Sequence, residues 1–209
     1  MHPRLEKTLA SALPANVKLM GGFPVERSIF STTGKDSCDA PKEKRPEVLT
    51  EAQSIQGDLR GKIISFFLRF LANDIPIPVE SQNDPALRIK RQRQKSSFFG
   101  GWDSLAGQWL AAAQPRSKVG VITYVAITES TLQFVYAQAP RSGGEVNGVT
   151  ELGASFDRAS LVWTRQHQSQ VGEYLFGFSD GSWGALMGPR EESFRRWFPG
   201  TLTHKDPIP

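Results

Sequence analysis

The sequence predicts an α+β protein, with an antiparallel sheet in the C-terminal half, a final amphipathic helix closing over it, and a helical N-terminal region ahead of it. Three observations carry this expectation. Residues 119–187 hold runs rich in β-branched and aromatic residues, cut by short turns and never separated by a helical crossover, which argues against a parallel sheet. Residues 189–198 show helical spacing, with Phe194, Trp197 and Phe198 apolar and Pro199-Gly200 as the stop. Upstream of the strands stand helix starts and long apolar faces instead of alternating patterns. The chain of 209 residues has 13 Phe and 5 Trp, enough for a compact core, and its 19 Gly and 14 Pro imply many turns.

From the N-terminus, Leu5, Leu9 and Leu13 recur every four residues, so a short helix is expected within 2–20. Residues 21–46, from Gly-Gly-Phe-Pro through STTGKDSCDAPKEKRP, are full of breakers and polar residues and read as a mobile loop. Thr50-Glu-Ala-Gln53 matches a capping box, in which the threonine caps the first turn and the glutamine reaches back. The helix it starts extends to about Ala72, where Asn73-Asp-Ile-Pro-Ile-Pro78 ends it. Leu59, Ile63, Phe66, Phe67 and Phe70 share one face of that helix, which therefore needs a partner surface, the sheet or a second copy. Asp84-Pro85 starts a further helix to about Ser96: aspartate suits the cap and proline the first turn. Phe98-Phe-Gly-Gly-Trp102 breaks it.

Asp103 is the expected cap of a short helix ending near Ala113, with Leu105, Trp109 and Ala112 or Ala113 turned inward. Strands follow at 119–128 and 131–138, joined across Glu129-Ser130. In the second of these, Leu132, Phe134 and Tyr136 alternate with Thr131, Gln133 and Val135. An exposed loop at 139–150 precedes shorter strands at 152–156 and 159–164. Strands 174–178 and 182–187 form a hairpin on the Asp180-Gly181 turn signal. The implied organisation is a helical region over 1–83, a basic helix and Gly-Gly joint over 84–102, a β domain over 103–200 and a tail over 201–209.

The formal net charge of +4 is concentrated in one place. Residues 84–102 contain five Lys/Arg against one Asp/Glu, whereas 1–83 contain eleven against ten and 103–200 eight against nine. The five cations are Arg88, Lys90, Arg91, Arg93 and Lys95, followed by the rings of Phe98, Phe99 and Trp102. The cations form a candidate contact for an anionic surface, and the rings a candidate apolar contact or a joint that pins the basic helix to the next domain. Near an anionic leaflet each cation is worth about 1 kcal/mol, which makes peripheral membrane attachment weak and salt-sensitive. Nucleic-acid binding by the same run would be weaker still in specificity, because neither flank offers a broad basic face.

With the elements in order, a resemblance emerges. Helix, "YVAITESTLQFV", further strands, "FGFSDGSWGALM" and a terminal helix together resemble bacterial pleckstrin-homology-like (PH-like or GRAM-like) domains over roughly residues 100–200. "GGWDSLAGQW" is similar to a segment of uncharacterised actinobacterial proteins of that kind. The resemblance implies a partly open β-barrel capped by its last helix, serving as a binding or scaffold module for lipids, peptides or other copies. The chain departs from the phosphoinositide-binding versions of the family. Glu129-Ser130-Thr131 stands in the first hairpin where those versions carry cations, which argues against phosphoinositide recognition.

Residue chemistry points the same way. The histidines are His2, His167 and His204, with no metal-ligand spacing, and Cys38 is the single cysteine, so neither a zinc site nor an intrachain disulfide is expected. The glycine pairs match no phosphate loop, and Gly177-Phe-Ser-Asp-Gly181 has the wrong order for a nucleophile elbow. The expectation is a non-enzymatic module without cofactor or metal, acting on a protein partner or on itself through sheet edges or the groove beside the last helix. The N-terminus has no apolar stretch of signal-peptide length. The longest apolar run, 63–72, is short of the ~20 residues of a membrane span, and a cytoplasmic location is expected.

Overall fold

The computed structural model describes residues 3–27, 39–50, 97–139, 149–166, 172–188, 191–198, 200–203 and 205–209. The expected helix at 50–72 beyond Thr50, the basic helix at 85–96, residues 28–38 of the loop expected at 21–46 and residues 140–148 of the loop expected at 139–150 lie outside these residues.

The fold is α+β, built on eight antiparallel strands. They are β1 (Gly21–Arg27), β2 (Phe98–Phe99), β3 (Val121–Ile127), β4 (Thr131–Gln138), β5 (Thr150–Asp157), β6 (Leu161–Gln166), β7 (Glu173–Phe178) and β8 (Trp183–Met187). The helices are α1 (Pro3–Ala12), α2 (Leu105–Ala112) and α3 (Glu191–Trp197). The strand order is β5-β4-β3-β1-β8-β7-β6, with β2 added against β8, so β5 and β6 end the order and the sheet does not close.

The hairpins fall where the turn residues place them. Thr128 N donates to Thr131 O at 2.9 Å, and Thr131 N donates back to Thr128 Oγ1 at 2.9 Å, closing β3 onto β4 around Glu129-Ser130. Gly181 turns the β7–β8 hairpin at φ +79°, a backbone state that glycine adopts without strain. The turn does more than reverse the chain. Asp180 Oδ2 accepts from the amide of Leu105 at 2.8 Å, Ser182 Oγ from that of Ala106 at 3.0 Å, and Ser104 Oγ from that of Gly107 at 3.2 Å. With Ser104 N donating to the Gly101 carbonyl at 2.9 Å, all four orphan amides of α2 are satisfied, two of them by the distant hairpin. Burial pushes the Asp180 carboxyl up, but the hydrogen bonds from Ser182 and Leu105 outweigh it and hold the group below its usual value.

The helix cap corrects the sequence expectation: Ser104, not Asp103, caps α2. Asp103 instead pairs with Lys44 at the surface. A larger correction concerns 21–46, expected as a loop throughout. Its first seven residues are β1, the strand that joins the two halves of the sheet through β3 at Gly21–Val25 and β8 at Glu26–Arg27. The breakers have uses there. A Cβ on Gly21 would lie 2.2 Å from the Trp197 indole nitrogen, and one on Gly22 2.3 Å from Leu9 Cδ1, so only glycine lets α3 and α1 come this close. Pro24 sits where β1 is laddered to β3 but not to β8, a place where a strand tolerates proline. The strand expected at 159–164 starts later, because Arg158–Ser160 form a single 3-10 turn capped by Asp157.

The main core lies on one side of the sheet. Trp109 of α2 is fully buried and stands between the halves, 4.8 Å from Phe134, 5.1 Å from Phe156, 5.4 Å from Phe176 and 5.8 Å from Phe178. From α3, Phe194 stacks on Tyr174 at 3.8 Å and meets Phe23 of β1 edge-on at 6.0 Å. The sheet's other side is covered too. Leu9 of α1 and Leu13 just beyond it pack on Tyr124, Ala126, Val135 and Ala137. Val135, grouped with the polar side of β4 in the sequence pattern, is therefore fully buried. On the second half, Leu175, Trp183 and Ala185 lie beneath Trp163 and Ile208.

Candidate interaction site at the β6 edge

β6 ends the sheet, and an end strand presents backbone groups that can accept another strand. Its inner side is paired to β7 from Leu161 to Gln166, with an irregularity between Leu161 and Trp163. Its outer side is partly taken by the chain itself. Leu202 N donates to Thr164 O at 2.7 Å, and Gln166 N donates to Leu202 O at 3.3 Å, a parallel bridge centred on Arg165 and Leu202. Thr164 Oγ1 meets Thr201 Oγ1 at 2.9 Å, and Thr201 in turn donates to the Phe198 carbonyl at the end of α3. Beyond Leu202 the segment turns away, with Asp206 Oδ2 accepting from Thr203 N at 2.6 Å and Thr203 Oγ1 at 2.8 Å.

Arg165 is the charged centre of this edge. It is buried, its Nε donates to Thr203 O at 3.2 Å, and Asp206 acts on it by charge. Burial lowers its guanidinium pKa and the Asp206 carboxylate opposes that shift, so a carboxylate here serves a cation that has been taken partly out of water.

Before Thr164 the edge opens into a cleft of about 160 Å³ between β6 and α3. Trp163, Trp197 and Phe198 line it together with Arg158 and Gly200. Arg158 ties the region together. It donates to the Thr128 carbonyl at 3.3 Å and to the Trp197 carbonyl at 3.0 Å, placing a cation at the negative end of α3. Trp163 lies flat over Gly177, where any Cβ would come within 1.9 Å of the indole. Val162, which also lines the cleft, is 62% exposed.

Of the residues singled out in the sequence, Arg88, Lys90, Arg91, Arg93 and Lys95 lie outside the described residues, as do Cys38 and His167. Phe98, Phe99 and Trp102 are described. Phe98 and Phe99 form β2 against Gly184 and Trp183, Phe98 faces Trp102 at 4.7 Å, and Phe99 stacks on Trp183 at 5.8 Å while staying 45% exposed. They lie along β8, two strands inward from the β6 edge. Among the described residues no group of three or more His, Cys, Asp or Glu is placed to hold a metal ion. No helix of the described residues is long and apolar enough to cross a membrane.

Sequence reasoning named sheet edges and the groove beside the last helix, but not β6 or its occupant. The signals were short: Thr201-Leu-Thr203 alternates hydroxyl and apolar residues like a minimal strand, and Thr203 to Asp206 has the spacing of a side-chain-capped turn. Compared with known protein families, curated proteins and solved structures, the chain matches none.

Proposed function

We propose that this chain is a protein-interaction module of PH-like, partly open barrel form, without an enzymatic role, and that it takes an extended segment of a partner protein along the β6 edge. The barrel reading is supported by the strand order, in which two antiparallel halves share β1 and leave β5 and β6 at the ends, with α3 pressing its aromatic side into the core. The observation that carries the interaction reading is the edge itself: β6 already accepts Leu202 as a strand neighbour, and the cleft beside it, lined by aromatic and polar groups alike, extends the same track along α3. Main-chain pairing would supply affinity there, and Trp163, Trp197 and Phe198 would select the side chains that enter.

The test compares full-length protein with a Val162→Lys variant. Val162 is mostly exposed and outside the core clusters, so the variant keeps its fold while placing a charge on the edge. The expected result is a specific partner captured by the first protein and lost with the second. A monodisperse monomer that captures nothing specific, or a partner retained equally by both proteins, sinks the reading.

A further inference from the structure

We propose that Thr201–Asp206 is a strap, the built-in occupant of the β6 edge, and that the partner segment that displaces it has the strap's own chemistry. That chemistry is an extended aliphatic residue between hydroxyl side chains, followed within a few residues by a carboxylate. This deepens the reading of the edge as an interaction site and rests on it.

Three observations carry the inference. The strap is held on the sheet by few bonds. Among the described residues of the strap only Leu202 joins the ladder, through two backbone hydrogen bonds, whereas β7 pairs with β6 along its whole length. Leu202 is only half-buried, so the strap adds little of the apolar burial that would make it permanent. Second, the strap and the cleft share one edge. The strap covers Thr164–Gln166 and the cleft runs over Leu161–Thr164, with Gly200 at the boundary. A partner strand long enough to use both must take the place of Leu202. Third, the edge has a charge preference. Arg165 is buried at the bridge and its Nε donates to the Thr203 carbonyl, while the Asp206 carboxylate, bonded to Thr203 N and Oγ1, acts on it by charge, so a segment replacing the strap fits if it brings an acceptor to that place and an anion near it. The chemistry of the displaced strap is in this sense a template for the partner.

A labelled peptide with the sequence of residues 200–209 is the probe. It is titrated by fluorescence anisotropy against the full chain and against a full-length Leu202→Pro/Asp206→Lys variant. The proline removes the amide that donates to Thr164, and the lysine puts a like charge beside Arg165, so the strap is released in place. The expected result is saturable binding to the variant, at least tenfold weaker binding to the unaltered chain, and at least a tenfold loss when the peptide itself carries D206K. An opened variant with native near-ultraviolet circular dichroism that does not bind the peptide, or that binds both peptides alike, overturns the inference. Amide exchange on the unaltered chain gives a second measurement, needed if the variant does not fold. Leu202 and Gln166 amides should exchange at least tenfold faster than that of Phe176 in β7, and equal rates would refute a displaceable strap. If the peptide binds as expected while no protein partner depends on Val162, the strap stands and the partner reading falls.

Discussion

Replacing Gly177 by alanine tests the physical account of the β6 edge most directly. The added Cβ would sit 1.9 Å from Trp163 Cε2 and 2.3 Å from its Nε1, where ordinary carbon contact is about 3.5–4.0 Å. The indole must therefore shift by about 1.6–2.1 Å, away from the floor of the cleft. Crowding of this kind costs about 1–3 kcal/mol. Against it stands the loss of a flexible glycine from a strand, worth about 0.5–1 kcal/mol in the opposite direction. The net expectation is a destabilisation of about 1–2 kcal/mol, or roughly 2–8 °C in melting temperature for a chain of this size.

The decisive measurement is a double-mutant cycle with Trp163→Ala, read by urea unfolding followed by far-ultraviolet circular dichroism. Once the indole is gone the new methyl has room, so Gly177→Ala should become neutral or stabilising by about 0.5 kcal/mol, and the coupling should approach 2 kcal/mol. A similar cost for Gly177→Ala in both backgrounds would refute the argument, because the clash with Trp163 would then not be its cause. Since Trp163 and Ile208 pack on the same three residues, Gly177→Ala should also speed amide exchange at Leu202.

Further outcomes follow from the core and its turns. Tyr136 is fully buried, donates to the Ala112 carbonyl at 2.8 Å, and has its pKa raised by burial and then by Glu151. A raised folded value makes its stabilisation complete below the unfolded pKa, so a pH series should show stability falling above about pH 10 by about 1.4 kcal/mol per unit from this group, and Tyr136→Phe should remove that share while costing about 1–2 kcal/mol at pH 7. Asp180→Asn should cost about 1 kcal/mol at neutral pH by weakening the cap of α2. Its depressed carboxyl contributes above the unfolded pKa, so the gap between the two proteins should shrink as pH falls below about 4, as chemical denaturation at stepped pH would show. Leu9→Ala should cost about 2–5 kcal/mol by thermal or urea unfolding, and a cost near zero would mean that α1 does not cover β3 and β4. Phe23→Ala and Phe194→Ala, measured singly and together, should show a coupling of at least about 0.5 kcal/mol, and additive costs would deny that α3 holds β1 against the second half of the sheet.

The hairpins were legible because a period of two and a turn signal are local. The strand 131–138 was bounded to the residue, and the Asp180-Gly181 turn stood where expected. β1 was not legible, since Gly21, Gly22 and Pro24 argue against a strand until Trp197 and Leu9 are known to pass over them. Local sequence records the cost of a glycine, while its reason lies 176 positions away in the case of Gly21 and Trp197. The cap of α2 failed similarly: Asp103 and Ser104 are both good caps, and the hydrogen bond from Gly107 to Ser104 decides between them. Val135 was placed on a polar face by its neighbours in sequence, and is buried because a helix over a hundred residues earlier lies on it. At the site, Trp197 and Phe198 could be read as the apolar side of a helix, but Arg165 and Leu202 meet only across a long gap in the chain.

The connections among these parts explain why an occupant at the β6 edge has consequences beyond it. Among the described residues β1 pairs with β8 at two positions, and the seam between the halves is reinforced by aromatic contacts from α3 and the residue after it: Phe23 with Phe194, Trp197 and Phe198. The same helix is tied to the β3–β4 hairpin by Arg158, which reaches both Thr128 and Trp197. The strap begins at the end of α3, where Thr201 bonds to the Phe198 carbonyl and to Thr164. A segment that lifts Leu202 off β6 therefore acts first on Thr201 and Phe198, and through them on the seam. Arg158 and the stacked pair Tyr174–Phe194 oppose that movement, because the first ties α3 to the β3–β4 turn and the second to β7, neither of which the strap touches. The geometry thus separates two strengths: a seam and helix held by buried rings, and a strap held by a few exchangeable hydrogen bonds and one buried cation.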